Sequence, residues 1–292
     1  MMQTGRLHLD PAREDHIFDL VETDCSYVDK YAGILDATAH QQCPGIVVRG
    51  LYGSRQIAEV NERLSRNEPR HLRVAHGRSA DNPDQEPVHY FGLNLVNAKP
   101  DLNAYLDFAV RFRVFSAELF ESLPTFEAVI RQTLERLVPP RRVLSPRFED
   151  DRLYGPATIR IFPPGTEVPP HCGNTMLRET AQYAHLRTLV GRADQLSYFM
   201  LINKPDSGGQ LVLYDLVWQA SNMQNRDSVR LDYSEVVNRR WQPVRLSAGD
   251  LIIFNGGRIY HSVTRIEGKQ PRRTIGGFLS FSRDASAIYY YS

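Results

Sequence analysis

From Gly155 onward the chain breaks into short apolar runs divided by glycine- and proline-rich turns, and this texture restricts its possible folds more than any other feature. Strands are expected over 156–162, 167–173, 194–202, 209–214, 241–246, 250–254, 258–264 and 273–282. Pro163-Pro164-Gly165, Ser247-Ala248-Gly249 and Asn255-Gly256-Gly257 supply turns between them. No such strand can bury its apolar side alone, so the set implies a β-sandwich or barrel. A cupin-like jelly roll fits the strand count.

The first half has a different texture. Residues 11–42 are expected to be mostly helical, and 45–50 is a short apolar run suited to a buried strand. Ser54 is a plausible N-cap for a helix over 55–66. Apolar residues at three- and four-residue spacing predict helices over 101–121 and 124–137, with Pro124 in a first turn and Pro139-Pro140 as the stop. A loop is expected over 139–154, helix or loop over 175–190, and a polar insertion over 219–240. The fold class is therefore mainly β with flanking helices (α+β). One domain, 1–292, is expected, with 1–150 as helical support and lid and 155–292 as the jelly-roll core.

Composition excludes several function classes. A net charge of +1 gives no field for a nucleic acid polymer or an acidic membrane. Cys25, Cys43 and Cys172 are too few and too scattered for a disulfide framework, which suits a reducing compartment. The N-terminus lacks an apolar signal core, and no run of apolar residues is long enough to span a bilayer. A cytoplasmic enzyme acting on a small molecule is the expectation.

The chemistry centres on Pro169-Pro170-His171-Cys172-Gly173-Asn174. A His-x-Asp or His-x-Glu on a strand, with a distant second His, makes the two-histidine, one-carboxylate face that holds Fe(II) in oxygenases. Here the third position is Gly173. On a strand, residues 171 and 173 would face the same way, and a glycine would leave an open coordination position. The tripeptide means little alone: with nine histidines, about 0.6 His-x-Gly matches are expected by chance. Residues downstream give it weight. Asp206-Ser207-Gly208-Gly209 is a hairpin return. Gly249-Asp250 leads through a tight turn to His261. Arg272-Arg273-Thr274 begins 11 residues after His261. Iron/2-oxoglutarate oxygenases carry an Arg at about this spacing, whose guanidinium fork matches the distal carboxylate of the co-substrate. A hydroxyl two residues on shares that strand face, which favours Arg272 with Thr274 over Arg273. Arg160 would point inward, toward the other carboxylate or a bound anion.

From Pro156 to Ser292 the chain resembles the freestanding Fe(II)/2-oxoglutarate halogenases of hapalindole- and welwitindolinone-type alkaloid pathways. The likeness is carried by PATIR (156–160), HCGN (171–174), DQLSYF (194–199), GGQLVLY (208–214), FNGGRIYH (254–261), PRRTIGGFLSFS (271–282) and IYY (288–290). Weaker likeness reaches back through PDLNAYL (100–106) to GIVVRG (45–50). The resemblance implies a double-stranded β-helix, Fe(II), 2-oxoglutarate, O2 and chloride or bromide. It implies His171 and His261 as metal ligands, halide beside Gly173, and a role for Ser197 near the iron. No carrier-protein docking surface is legible, so a free substrate is expected.

Other assignments stay open. Asn174 lies on the wrong strand parity to replace the carboxylate and is placed beside the site. Glu167 is four residues from His171, about 13 Å along a strand. Asp194 and Asp215 cannot be placed from sequence, and either could complete the triad of a 2-oxoglutarate-dependent hydroxylase. Residues 67–90 do not match the halogenase pattern. Arg70, His71, Arg73 and His76 there suggest a flap carrying cations toward an anionic substrate such as a nucleotide.

Overall fold

The computed structural model describes residues 9–76, 87–219 and 235–292. In chain order its strands are β1 (Val21–Asp24), β2 (Gly45–Arg49), β3 (Arg73–His76), β4 (Val88–Phe91), β5 (Arg142–Leu144), β6 (Thr158–Phe162), β7 (Val168–His171), β8 (Leu196–Asn203), β9 (Ser207–Gly208), β10 (Leu211–Val217), β11 (Trp241–Val244), β12 (Leu251–Phe254), β13 (Ile259–Val263), β14 (Ile266–Glu267), β15 (Arg272–Phe281) and β16 (Ala287–Tyr291). The α-helices are α1 (Ile34–Ala39), α2 (Ser54–Arg66), α3 (Asn103–Leu119), α4 (Phe126–Leu137), α5 (Gly173–Glu179) and α6 (Ala184–Leu189).

Two sheets face each other. The larger is ten-stranded, with the order β1-β2-β12-β8-β15-β6-β4-β3; β16 pairs with both β15 and β5. The smaller runs β11-β10-β13-β7. The mixed α/β architecture follows from how the large sheet divides its side chains, since alternate residues on a strand face opposite ways. Leu196, Tyr198, Met200 and Ile202 of β8 pack with Leu251 and Ile253 of β12 against α2, α3 and α4. Phe199, Leu201, Ile252 and Phe254 face the other way and meet Leu211, Leu213 and Ile259 of the small sheet. Ser197 falls on this inner face. So do Arg160, Arg272 and Thr274, which line the cavity between the sheets.

The helices of the first half form largely where their apolar spacing predicts. Ser54 is the first residue of α2 and not its cap; Gly53 caps it, its N–H donating to Gln56 Oε1 at 2.8 Å. Thr125 caps α4, with Pro124 just outside. The expected helix over 11–42 is not one element. It resolves into short 3₁₀ turns, strand β1 and the brief α1, because β1 pairs in parallel with β2 at the sheet edge. The flap expected over 67–90 is revised in its described parts, where β3 and β4 pair and extend the large sheet. Most of the expected 219–240 insertion lies outside the described residues. Among those described, no helix is long and apolar enough to cross a membrane.

Candidate metal centre

His171 and His261 sit opposite one another on the antiparallel pair β7 and β13. Cross-strand partners project from the same face, and here their ring centroids are 4.3 Å apart. Each Nδ1 contacts a backbone carbonyl two residues earlier, Pro169 O for His171 and Ile259 O for His261, both at 2.9 Å. A carbonyl can only accept, so each Nδ1 carries the proton and each Nε2 is the nitrogen suited to a metal. Burial, reinforced by the neighbouring His171, holds the pKa of His261 well below the usual imidazole range. Neutral imidazole is the metal-binding form.

The carboxylates left open by the sequence are committed elsewhere or off the cavity. Asp194 is buried and takes a two-pronged contact from Arg258, at 2.7 Å from Nε and 3.1 Å from Nη2. Asn174 Nδ2 donates to it at 2.7 Å, and Asn255 Nδ2 at 3.2 Å. Burial opposes its ionisation, but these donors outweigh burial and keep its pKa low. Asp215 pairs with Arg240 near the surface, and Glu167 is not part of the cavity wall. Among the described residues, no group of three His, Cys, Asp or Glu side chains could hold a metal. Two imidazoles fit Fe(II) if small ligands fill the remaining positions.

The geometry at residue 173 differs from the sequence expectation. Strand β7 ends at His171, Cys172 is the cap, and Gly173 begins α5. The local bend is held by the 255–258 turn: Gly173 N–H donates to Gly256 O at 2.8 Å, and Asn174 N–H to Gly257 O at 2.9 Å. Nor is the room left by the missing side chain empty. A Cβ on Gly173 would lie 2.3 Å from Gln195 Oε1. Asn174 thus braces the turn through Asp194 and does not touch the cavity. Ser197 lines the cavity and explains another glycine, since a Cβ on Gly256 would lie 2.3 Å from Ser197 Oγ.

Arg272 and Thr274, both buried, face the cavity from β15. The Arg272 guanidinium lies 5.1 Å from the Phe199 ring and 5.8 Å from the Phe162 ring. It forms no ion pair among the described residues. Burial, then the nearby positive charge of Arg160, pushes its pKa down to about 9. Such a group is held charged at neutral pH without a counter-ion, an arrangement that suits an incoming carboxylate. Arg160 sits on β6 in register with Thr274 and also lines the cavity. Its Nε is buried without a hydrogen-bond partner among the described residues.

The remaining sequence candidates lie outside this cavity. Arg273, one residue off the inward parity, points to α2, where Nη1 donates to Asn61 Oδ1 at 2.8 Å. Arg70, His71 and Arg73 line a separate outer depression with Arg63 and Glu118. Arg73 contacts His89 and lies 3.8 Å from Glu68. His76 is the last residue of β3, the edge strand of the large sheet. Arg70, His71 and Arg73 are therefore not placed over the histidines. Tyr90, Asn94, Asn97, Met176 and Phe278 form that part of the wall instead. Nothing in their local sequence marks them, because their chemistry is ordinary and only the tertiary fold gathers them.

A family model described as the carrier-protein-independent halogenase WelO5 matches residues 17–292. Comparison with curated proteins found no match. Among solved structures, an N-substituted L-amino acid dioxygenase from Burkholderia ambifaria AMMD is similar at 14% identity and a TM-score of 0.51, covering 88% of this chain and 90% of that one. The same dioxygenase in complex with α-ketoglutarate is similar at 12% identity and a TM-score of 0.50, covering 91% of this chain and 90% of that one. At such identities the likeness is one of fold alone, whereas the family match extends over nearly the whole chain. The chain belongs to the family of the carrier-protein-independent halogenase WelO5.

Proposed function

We propose that the protein is an Fe(II)- and 2-oxoglutarate-dependent halogenase that installs chloride or bromide on an unactivated aliphatic carbon of a free small molecule. The observation that carries this reading is the pair of imidazoles 4.3 Å apart beside a glycine, with no third protein donor grouped with them among the described residues. The two facing sheets would form a double-stranded β-helix core, and residues 1–292 a single domain.

His171 and His261 would hold Fe(II) through Nε2, with Nδ1 of each ring fixed by its backbone carbonyl. Arg272, with Thr274 beside it, would receive the distal carboxylate of 2-oxoglutarate, supplying the counter-ion the guanidinium lacks. Arg160 adds a second positive charge to the cavity, which favours entry of anions. The halide would sit beside Gly173, and Ser197 on the opposite sheet faces the same space. When bound, Fe(II) with 2-oxoglutarate and O2 supplies the oxidising power that removes a hydrogen atom from a C–H bond and delivers the halogen to the resulting carbon radical. The protein's part is to hold the substrate carbon close, admit the anion and exclude bulk water. Tyr90 and Phe278 offer aromatic faces to the substrate, and Asn94 and Asn97 bring amides. This wall suits an alkaloid-like molecule better than a nucleotide.

The test is anaerobic loading with Fe(II) and 2-oxoglutarate, titration with chloride, then oxygen and mass spectrometry on candidate substrates. A product heavier by chlorine for hydrogen, and absent without halide, supports the reading. A hydroxylated product formed at equal rate with and without halide supports a 2-oxoglutarate-dependent hydroxylase instead.

A further inference from the structure

Gln195, immediately before β8, is fully buried and lines the cavity with His171, Gly173 and His261. Its backbone is fixed on both sides. The N–H donates to Asn174 Oδ1 at 3.1 Å, and the carbonyl accepts from Gly257 N–H at 2.8 Å. One end of its side chain is also fixed, with Nε2 donating to Tyr291 Oη at 2.8 Å; that hydroxyl in turn pairs with Ser280 Oγ at 2.8 Å. The other end, Oε1, is buried with no hydrogen-bond partner among the described residues. The Tyr183 hydroxyl interacts with the same amide without reaching hydrogen-bond geometry. Buried amide oxygens are seldom left unmatched, so the group calls for an explanation.

We propose that the Gln195 carboxamide takes the place of the missing residue-173 side chain and is the protein group that holds the anion beside the metal. Its Oε1 lies where a Cβ on Gly173 would come within 2.3 Å. Apart from the chain neighbours of Gly173, the amide is the nearest group to where a side chain at 173 would begin, and it accounts for the glycine there. A carboxamide has an acceptor end and a donor end of nearly equal shape. The Ser280–Tyr291 pair can serve either, because a hydroxyl both donates and accepts. With Nε2 on Tyr291, an acceptor faces Gly173, which suits a water molecule there. With the amide turned over, Oε1 accepts from Tyr291 and the N–H faces Gly173, which suits a halide. Anion binding and the amide turn are thereby coupled. A carboxylate introduced at 173 would meet this side chain and could not simply enter an empty space.

This inference rests on the halogenase reading, and two measurements separate their failures. The first uses metal-free protein and thermal unfolding of Gly173→Ala, Gln195→Ala and the double variant. The expected result is that Gly173→Ala lowers the Tm by several degrees in the parent but by under one degree when Gln195 is already Ala. Equal losses in both backgrounds overturn the claim that Gln195 fills that space. The second follows chloride binding through the visible charge-transfer band of the anaerobic Fe(II)–2-oxoglutarate protein. Gln195→Leu should weaken chloride at least tenfold, with Fe(II) and 2-oxoglutarate affinities within twofold of the parent, and Gln195→Glu, which brings a carboxylate to the same place, should abolish the chloride effect. If chloride binds the Leu variant as tightly as the parent, Gln195 is not the anion holder although the halogenase reading stands. If chloride leaves the parent band unchanged, the halogenase reading fails and takes the anion role with it.

Discussion

Replacing Arg272 by methionine should make the ligand-free protein more stable while removing its response to 2-oxoglutarate. Arg272 is 4% exposed, has no ion-pair partner among the described residues, and lies near the like charge of Arg160. Aromatic contacts with Phe199 and Phe162 return part of the cost, about 0.5–2 kcal/mol. Methionine keeps the length and the apolar contacts while removing the uncompensated charge. Replacing a buried ion pair by apolar side chains of similar volume is often neutral or stabilising by ~1–4 kcal/mol, and Arg272 has no partner ion to lose, so a gain near the low end raises the Tm by about 2 °C in a chain of this size. The parent should behave in the opposite way on adding co-substrate. At about a hundredfold over Kd, a ligand that binds only the folded state stabilises by ~2.7 kcal/mol. Differential scanning fluorimetry of Mn(II)-loaded protein, with and without 2-oxoglutarate, reads both effects. A variant that is less stable than the parent and still shifted by 2-oxoglutarate would refute the clamp.

Arg273→Ala, by contrast, should change 2-oxoglutarate affinity less than twofold while costing about 0.5–1.5 kcal/mol from its lost hydrogen bonds to α2, measured by isothermal titration and urea unfolding. Asp194→Ala leaves Arg258 without its buried partner and should cost ~3–5 kcal/mol in urea unfolding. Because the Asp194 pKa is lowered in the folded protein, its contribution is present above the ordinary carboxylate range and is lost as pH falls through the folded value. The stability gap between parent and Asp194→Ala should therefore close in acid. Gly256→Ala should cost about 1–3 kcal/mol through its collision with Ser197 Oγ, and adding Ser197→Gly should recover part of that loss.

How much of this was legible in the sequence depends on whether local pattern or long-range contact decides the outcome. Strands in the second half stand out because glycine turns bound them, yet Leu196–Asn203 shows little alternation because both faces of the large sheet are covered. Strand parity alone separates Arg272 from Arg273, and the structure keeps that division. Parity failed at Gly173, where the chain leaves the strand one residue after His171 to meet the 255–258 turn. Apolar spacing in 11–42 suggested helix, but pairing of β1 with β2 overrode it. Gln195 had no local signal. Its proximity to Gly173 joins residues that are distant in sequence, and a lone glutamine has no spacing to betray a role. The basic 67–90 segment meets a related limit: charge density says nothing about which face of the sheet carries Arg70, His71 and Arg73.

X-ray absorption at the iron edge of the anaerobic Fe(II)–2-oxoglutarate protein, with and without chloride, bears most directly on the two-histidine centre. Two imidazole nitrogens and one chlorine neighbour that appears only with chloride are the expected shell. A shell of nitrogen and oxygen alone that chloride does not alter would contradict it.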